Sequence, residues 1–204
     1  MRVRRPPLES GRHPMNPTLS SSSQRGVTLI EVLVTILILS VGLLGMAGLQ
    51  VRLQQSEMEA YQRAQALLLL DDMANRITTN RNVASSYVTG TATPLGAGMT
   101  CASVTGVSSR RDRDISEWCS TLQGAAEISG TSKVGSMVGA RGCVESIGSN
   151  QYLVTVAWQG LTPISSPPAG VACGANSYDG ATGSTCSGDL CRRVVTTIVR
   201  VADL

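Results

Sequence analysis

With 204 residues, the chain can form one modest domain plus an extended element. Seventeen Lys and Arg against fourteen Asp and Glu leave a net charge of +3, too small for a strong nucleic-acid field. The only histidine, His13, precedes the apolar segment, so nothing beyond it can complete a Ser-His-Asp or Cys-His arrangement and no catalytic residue is assigned.

Residues 1–26 read as an address. Arg2, Arg4, Arg5, Arg12 and Arg25 are basic, serines fill positions 20–23, and prolines interrupt any helix. Met15 would open a shorter leader, residues 15–26, that keeps Arg25, and it is the expected start. Residues 27–49 are apolar and long enough to cross a hydrocarbon core of about 30 Å as a helix. The basic flank lies before them, which keeps the leader cytoplasmic and exports the carboxyl-terminal part. Their single charge is Glu31. A plain membrane anchor, or a secretory signal cut near Gly45-Met46-Ala47, leaves that charge unexplained. A carboxylate within a membrane stretch costs about 2.5 kcal/mol or more, so it marks a function.

The run Gly26-Val27-Thr28-Leu29-Ile30-Glu31-Val32-Leu33-Val34 resembles the processing motif of type IV pilins. In that family a prepilin peptidase cuts after the glycine and methylates the new amino-terminus, and a glutamate stands fifth in the mature chain. The resemblance implies cleavage between Gly26 and Val27, with Glu31 as that glutamate; Val27 departs from the family's frequent phenylalanine. Cleavage would bury a positive amine among apolar helices, where a neighbouring subunit's Glu31 can pair with it. A misplaced register would leave both charges uncompensated, so Glu31 is expected to act as a register device.

From Gln50 to Asn80 there is neither proline nor glycine. Leu53, Glu57, Tyr61, Ala64 and Leu68 recur at helical steps, as do Leu69, Met73 and Ile77, while Arg52, Gln55, Glu59, Arg63 and Asp72 can occupy the other face. One helix over residues 27–80 would be on the order of 80 Å long; two separate helices are the alternative. Gly42, Gly45 and Gly48 are small residues that let membrane helices approach closely. Residues 40–50, together with Ala66 and Asp71-Asp72-Met73-Ala74-Asn75-Arg76-Ile77, resemble the minor pilins of the type IV pilus modification group (PilV). A minor pseudopilin of type II secretion is the rival. A membrane-anchored or secreted binding protein that never polymerises is a third reading. The resemblance implies an α+β type IV pilin fold, a long amino-terminal helix packed on an antiparallel sheet head. Its expected divisions are a leader (1–26), an assembly part of the helix (27–49), an amphipathic part (50–82) and an exported head (83–204).

The head lacks phenylalanine, so its core must come from aliphatic residues and two tryptophans. Residues 83–110 are expected to form an extended connection rich in Ser, Thr, Gly and Ala. Residues 111–122 fit a short helix with Ile115, Trp118, Cys119 and Leu122 on one face and Asp112, Asp114 and Glu117 on a solvated one. Residues 150–159 alternate, with Tyr152, Val154, Val156 and Trp158 on one side and Leu153, Thr155 and Ala157 on the other. Residues 192–201 alternate too, with Val195, Thr197, Val199 and Val201 together, and the two runs are expected to pair antiparallel.

Six cysteines (Cys101, Cys119, Cys143, Cys173, Cys186 and Cys191) favour disulfides in an oxidising compartment. Proximity favours Cys173 with Cys186 or Cys191, among fifteen possible full pairings. No CxxC pair is present, so no metal and no cofactor is assigned. Asp179 and Asp189 share a polar loop but lack the carboxylate spacing of a calcium site. The resemblance implies as partners the prepilin peptidase, an inner-membrane assembly platform, other minor pilins and the major pilin. It places the chain first in the inner membrane and then in an extracellular pilus that supports adhesion and twitching motility.

Overall fold

The computed structural model describes residues 26–202 apart from Val134 and Ser136; the basic leader and Met15 lie outside the described residues. Helix α1 spans Leu29–Thr79 and is followed by a 3-10 segment, Arg81–Tyr87. Then come β1 (Leu95–Gly96), α2 (Arg110–Leu122), a hairpin of β2 (Ile128–Ser129) and β3 (Ser132–Lys133), β4 (Arg141–Gly148), β5 (Gln151–Gln159) and β6 (Arg192–Arg200). The main sheet has the order β1-β4-β5-β6 and is antiparallel throughout. The architecture is α+β, a long amino-terminal helix packed on a four-stranded antiparallel sheet. The chain divides into two compact units, one ending at Ala47 and one beginning at Gly48.

Without glycine or proline after Gly48, α1 continues to Thr79 as one element. In its last turns Gln62, Ala66, Leu70, Met73 and Ile77 are buried at steps of three and four, and Leu69 packs beside them. The other expected stripe does not face the sheet. Leu53 is 62 % exposed, Tyr61 58 % and Leu68 70 %. At about 100° per residue, Leu68 lies roughly 200° from both Ala66 and Leu70. This segment is therefore apolar on two opposite sides, and only one of them meets the sheet.

Strand β5 fills the layer under α1 and α2 with Tyr152, Val154, Val156 and Trp158, while Thr155 and Ala157 are buried on its opposite face. It pairs with β6 along its whole length, from Gln151↔Arg200 to Gln159↔Arg192, as the alternation predicted. Strand β4 was not legible, because Gly142 and Gly148 break its pattern. Gly142 is required there, since a Cβ would stand 2.3 Å from the Trp118 ring. Ser149 (φ 49°) and Asn150 (φ 52°) form the two-residue turn into β5, the backbone that two-residue hairpins favour. The expected extended stretch after residue 83 instead begins with the 3-10 segment, which buries Ala84 and Tyr87.

Residues 160–191 cover the far face of the sheet, bringing Cys173, Tyr178 and Cys191 into the interior. The disulfides are Cys101–Cys119, Cys143–Cys173 and Cys186–Cys191, among which the expected partners for Cys173 do not occur. Cys173 reaches back to β4 because the covering segment crosses that strand before it returns to β6. Proximity along the chain carried no information about this crossing. The Tyr178 hydroxyl donates to the Gly139 carbonyl at 2.9 Å, and the buried Arg192 donates to the carbonyls of Val171 (2.7 Å) and Cys173 (3.1 Å).

The end of α1 is fastened to α2 by charge. Arg76 meets Asp72 and Asp114 at 3.0 Å and Glu117 at 2.8 Å. Burial opposes its charge, but the bonds to Glu117, Asp72 and Asp114 outweigh that and raise its pKa. Tyr87 donates to Asp114 from below, and both burial and that bond push the phenol upward. Asp114 is therefore a buried acceptor and not part of the solvated face expected for α2. Ser109 caps α2 by accepting from the Asp112 amide at 3.1 Å. The Trp118 indole N–H donates to the Leu69 carbonyl at 2.8 Å, a second fastening between the helices.

Arg76→Ala should cost about 2–3 kcal/mol because it strands the buried Asp114. Arg110→Ala, whose side chain is 59 % exposed and 4.0 Å from Asp114, should cost under about 1 kcal/mol. Urea unfolding followed by tryptophan fluorescence measures both, and equal costs would contradict the network's assignment to Arg76. A second test concerns Glu145 on β4, which has one buried carboxylate oxygen without a partner among the described residues and a pKa raised by burial above the ordinary 4.5. A raised carboxyl pKa favours the fold when protonated, and that contribution is lost as pH rises through the folded value. Glu145→Gln should therefore raise the melting temperature near pH 7 and change it little near about pH 3.

Candidate functional site

The candidate site is the start of α1 and the apolar surface beyond it. Gly26 and Val27 precede the helix and are exposed. A Cβ added at Gly26 would meet nothing within 4 Å, so the packing of the described residues does not require glycine there. Thr28 starts the helix: its carbonyl accepts from the amides of Glu31 (3.0 Å) and Val32 (3.3 Å), and its hydroxyl lies 3.4 Å from the Glu31 amide. Thr28 and Glu31 thus stand in the Thr-x-x-Glu arrangement that opens helices. Within an apolar run Thr28 does not stand out, although its spacing from Glu31 signals this role.

Glu31 is the third residue of α1, beside the positive end of the helix dipole. Among the described residues its carboxylate has no hydrogen-bond or ion-pair partner, and it is exposed. The next polar side chains are satisfied locally: the Thr35 hydroxyl donates to the Val32 carbonyl and that of Ser40 to Leu37, each at 2.8 Å. A helix in a hydrocarbon environment needs that internal satisfaction. Among the described residues, the Glu31 carboxylate is the charged group in this stretch without a partner.

Every residue from 26 to 58 is exposed. The helix contains a window of mean hydropathy 2.5 with none of it buried, long and apolar enough to cross a membrane. A Cβ at Gly42, Gly45 or Gly48 would meet nothing within 4 Å, so all three present bare backbone outward. Contiguous apolar surface of this extent marks a site of interaction with lipid or protein.

Elsewhere the titratable groups are engaged structurally. Asp189 accepts from the Asn176 amide at 2.8 Å and pairs with Arg192 at 3.1 Å, and Asp179 accepts from the Asp189 amide at 2.8 Å. Among the described residues no cluster of three or more His, Cys, Asp or Glu could hold a metal ion. All six cysteines are paired, which fits an oxidising compartment.

Comparison with known families matches residues 21–47 to the prokaryotic N-terminal methylation motif. No curated protein and no solved structure matches the chain. The chain therefore carries a prepilin-type methylation motif on an exposed apolar helix, which points to a structural subunit of the type IV pilin or pseudopilin kind, anchored in a membrane and assembled with other pilins.

Proposed function

We propose that the chain is a minor pilin, cut by a prepilin peptidase between Gly26 and Val27, methylated at Val27 and assembled through Glu31. The observation that carries this reading is the exposed apolar helix with one unpartnered carboxylate at its start. A plain anchor has no use for that carboxylate, whereas a helical assembly gives it the next subunit's amine. Gly26 supports the same reading, because among the described residues it has no packing role, as suits a residue read by a peptidase.

In this account residues 1–26 form the leader, residues 27–49 the assembly segment, residues 50–82 the amphipathic part of the helix and residues 83–204 the exported head. The amino-terminus lies in the cytoplasm before processing. The assembly platform then extracts the helix, and the subunit joins other minor pilins to prime or modify a pilus built of major pilin. Adhesion and twitching motility follow from that role. The likeness of residues 40–50 and 66–77 to the type IV pilus modification group (PilV) favours the pilus over the pseudopilus of type II secretion. A deletion strain separates the two by losing either twitching or exoprotein release.

Glu31→Ala should leave processing intact, since the peptidase acts at Gly26, but reduce incorporation by about tenfold or more through the uncompensated amine. Immunoblots of membrane and sheared-surface fractions measure the two quantities separately. Normal incorporation of the variant would remove the register role.

A further inference from the structure

The two edges of the main sheet are treated differently. At β4 the edge is closed. β1 pairs with Arg141 and Gly142, the amides of Thr89 and Gly90 donate to the Val144 carbonyl at 3.0 Å, and the Thr89 hydroxyl accepts from the Val144 amide at 3.0 Å. At β6 it is open. Ile164 takes the outward carbonyl of Leu190, and from Val194 onward no segment pairs with the strand's outer side among the described residues. The Val201 amide donates to the Asn150 carbonyl, which sets the alternation of the ladder. Tyr152↔Val199, Val154↔Thr197 and Val156↔Val195 then exchange hydrogen bonds, and the amides and carbonyls of Val194, Thr196, Ile198 and Arg200 point outward. From Val194 to Val199 the strand has no proline, charged side chain or bulge, the usual means of blunting an edge.

This open edge runs into a groove of about 570 Å³ that begins at Val194 and passes between α1 and the segment around Pro167. Arg63, Arg193, Trp158 and Ile164 line it. Arg193 is held in place by Glu59 at 3.3 Å and the Thr162 carbonyl at 2.6 Å. Among the described residues, the exposed Arg63 has no acidic partner and the buried Trp158 indole N–H has no acceptor. The groove carries more positive than negative side chains, and Arg200 adds another exposed positive charge at the strand's far end.

We propose that the β6 edge and this groove form a strand-addition site for an extended segment of another polypeptide, apolar or β-branched at alternate positions and ending in carboxylates. Backbone pairing to Val194, Thr196, Ile198 and Arg200 supplies the affinity, and the arginine-lined groove selects the acidic end. A second copy of β6 is a poor occupant. Antiparallel pairing centred on Thr196 would set Arg192 against Arg200 at both ends, a like-charge arrangement that costs stability. The proposal deepens the assembly reading, because a neighbouring subunit is the natural source of such a segment, but its test is independent of Glu31.

The test uses the full chain in detergent micelles and a fluorescein-labelled peptide of alternating valine and threonine ending in two aspartates. Anisotropy should show saturable binding, at least about tenfold weaker when the aspartates are replaced by lysines or when alternate peptide amides are N-methylated. Thr196→Pro should also weaken binding at least about tenfold while keeping the wild-type melting temperature, because the lost amide points outward. Arg63→Glu should remove the preference for the acidic peptide. Absence of binding to the wild-type chain, or binding indifferent to peptide N-methylation, would overturn the proposal even if Thr196→Pro failed to fold. So would a dimer of the chain, seen in sedimentation, that Thr196→Pro dissociates. None of these outcomes bears on the incorporation of Glu31→Ala.

Discussion

An apolar helical segment that no other described residue buries is the constraint around which the rest of the molecule is arranged. Residues 26–58 are all exposed, and the first buried side chain on α1 is Gln62. Water does not tolerate such a surface, so those residues must be covered by lipid, by neighbouring helices, or by each in turn. The head must then be stable on what remains, a stripe of five buried side chains on the last turns of α1 and the sheet beneath them. The internally bonded hydroxyls of Thr35 and Ser40 fit this division, while the Glu31 carboxylate stands out against it.

The head makes up for its lack of phenylalanine by fastening rather than by bulk. Trp118 fills the space over Gly142 and bonds to the Leu69 carbonyl, and Arg76 draws three carboxylates to the end of α1. On the opposite face of the sheet, an irregular segment takes the place of a second helix layer. It is held by Cys143–Cys173, by Arg192 on two carbonyls, and by Tyr178 on Gly139. Disulfide cross-links restrict the unfolded chain, each closure contributing about 2–4 kcal/mol in the entropic account. They suit a domain in an oxidising compartment.

The legible parts of this molecule were those governed by local periodicity. The long α1, the apolar face of α2 and the pairing of β5 with β6 follow from helical spacing or alternation, and the structure has all three. The processing motif was legible because a glycine, a glutamate and an apolar run at fixed spacing have few other reasons to coincide. What failed depended on contacts between distant segments. Residues 53–68 are apolar on two sides, and only the sheet decides which side is buried. Strand β4 was hidden by Gly142, a residue chosen for the Trp118 ring and not for the strand. Cys173 was assigned to its neighbours in sequence, though its partner is Cys143 on β4. Asp114 looked solvated until Arg76 and Tyr87 arrived from other elements.

The central claim is that α1 begins, in the working protein, at a processed Val27 whose amine pairs with Glu31 of a neighbour. The most direct measurement is the amino-terminal sequence and intact mass of the protein recovered from membranes. The account predicts a single species that starts at Val27 and carries one added methyl group. A species starting at Gly48 would show cleavage by an ordinary signal peptidase. That result would contradict the account, because it removes the helix on which assembly depends.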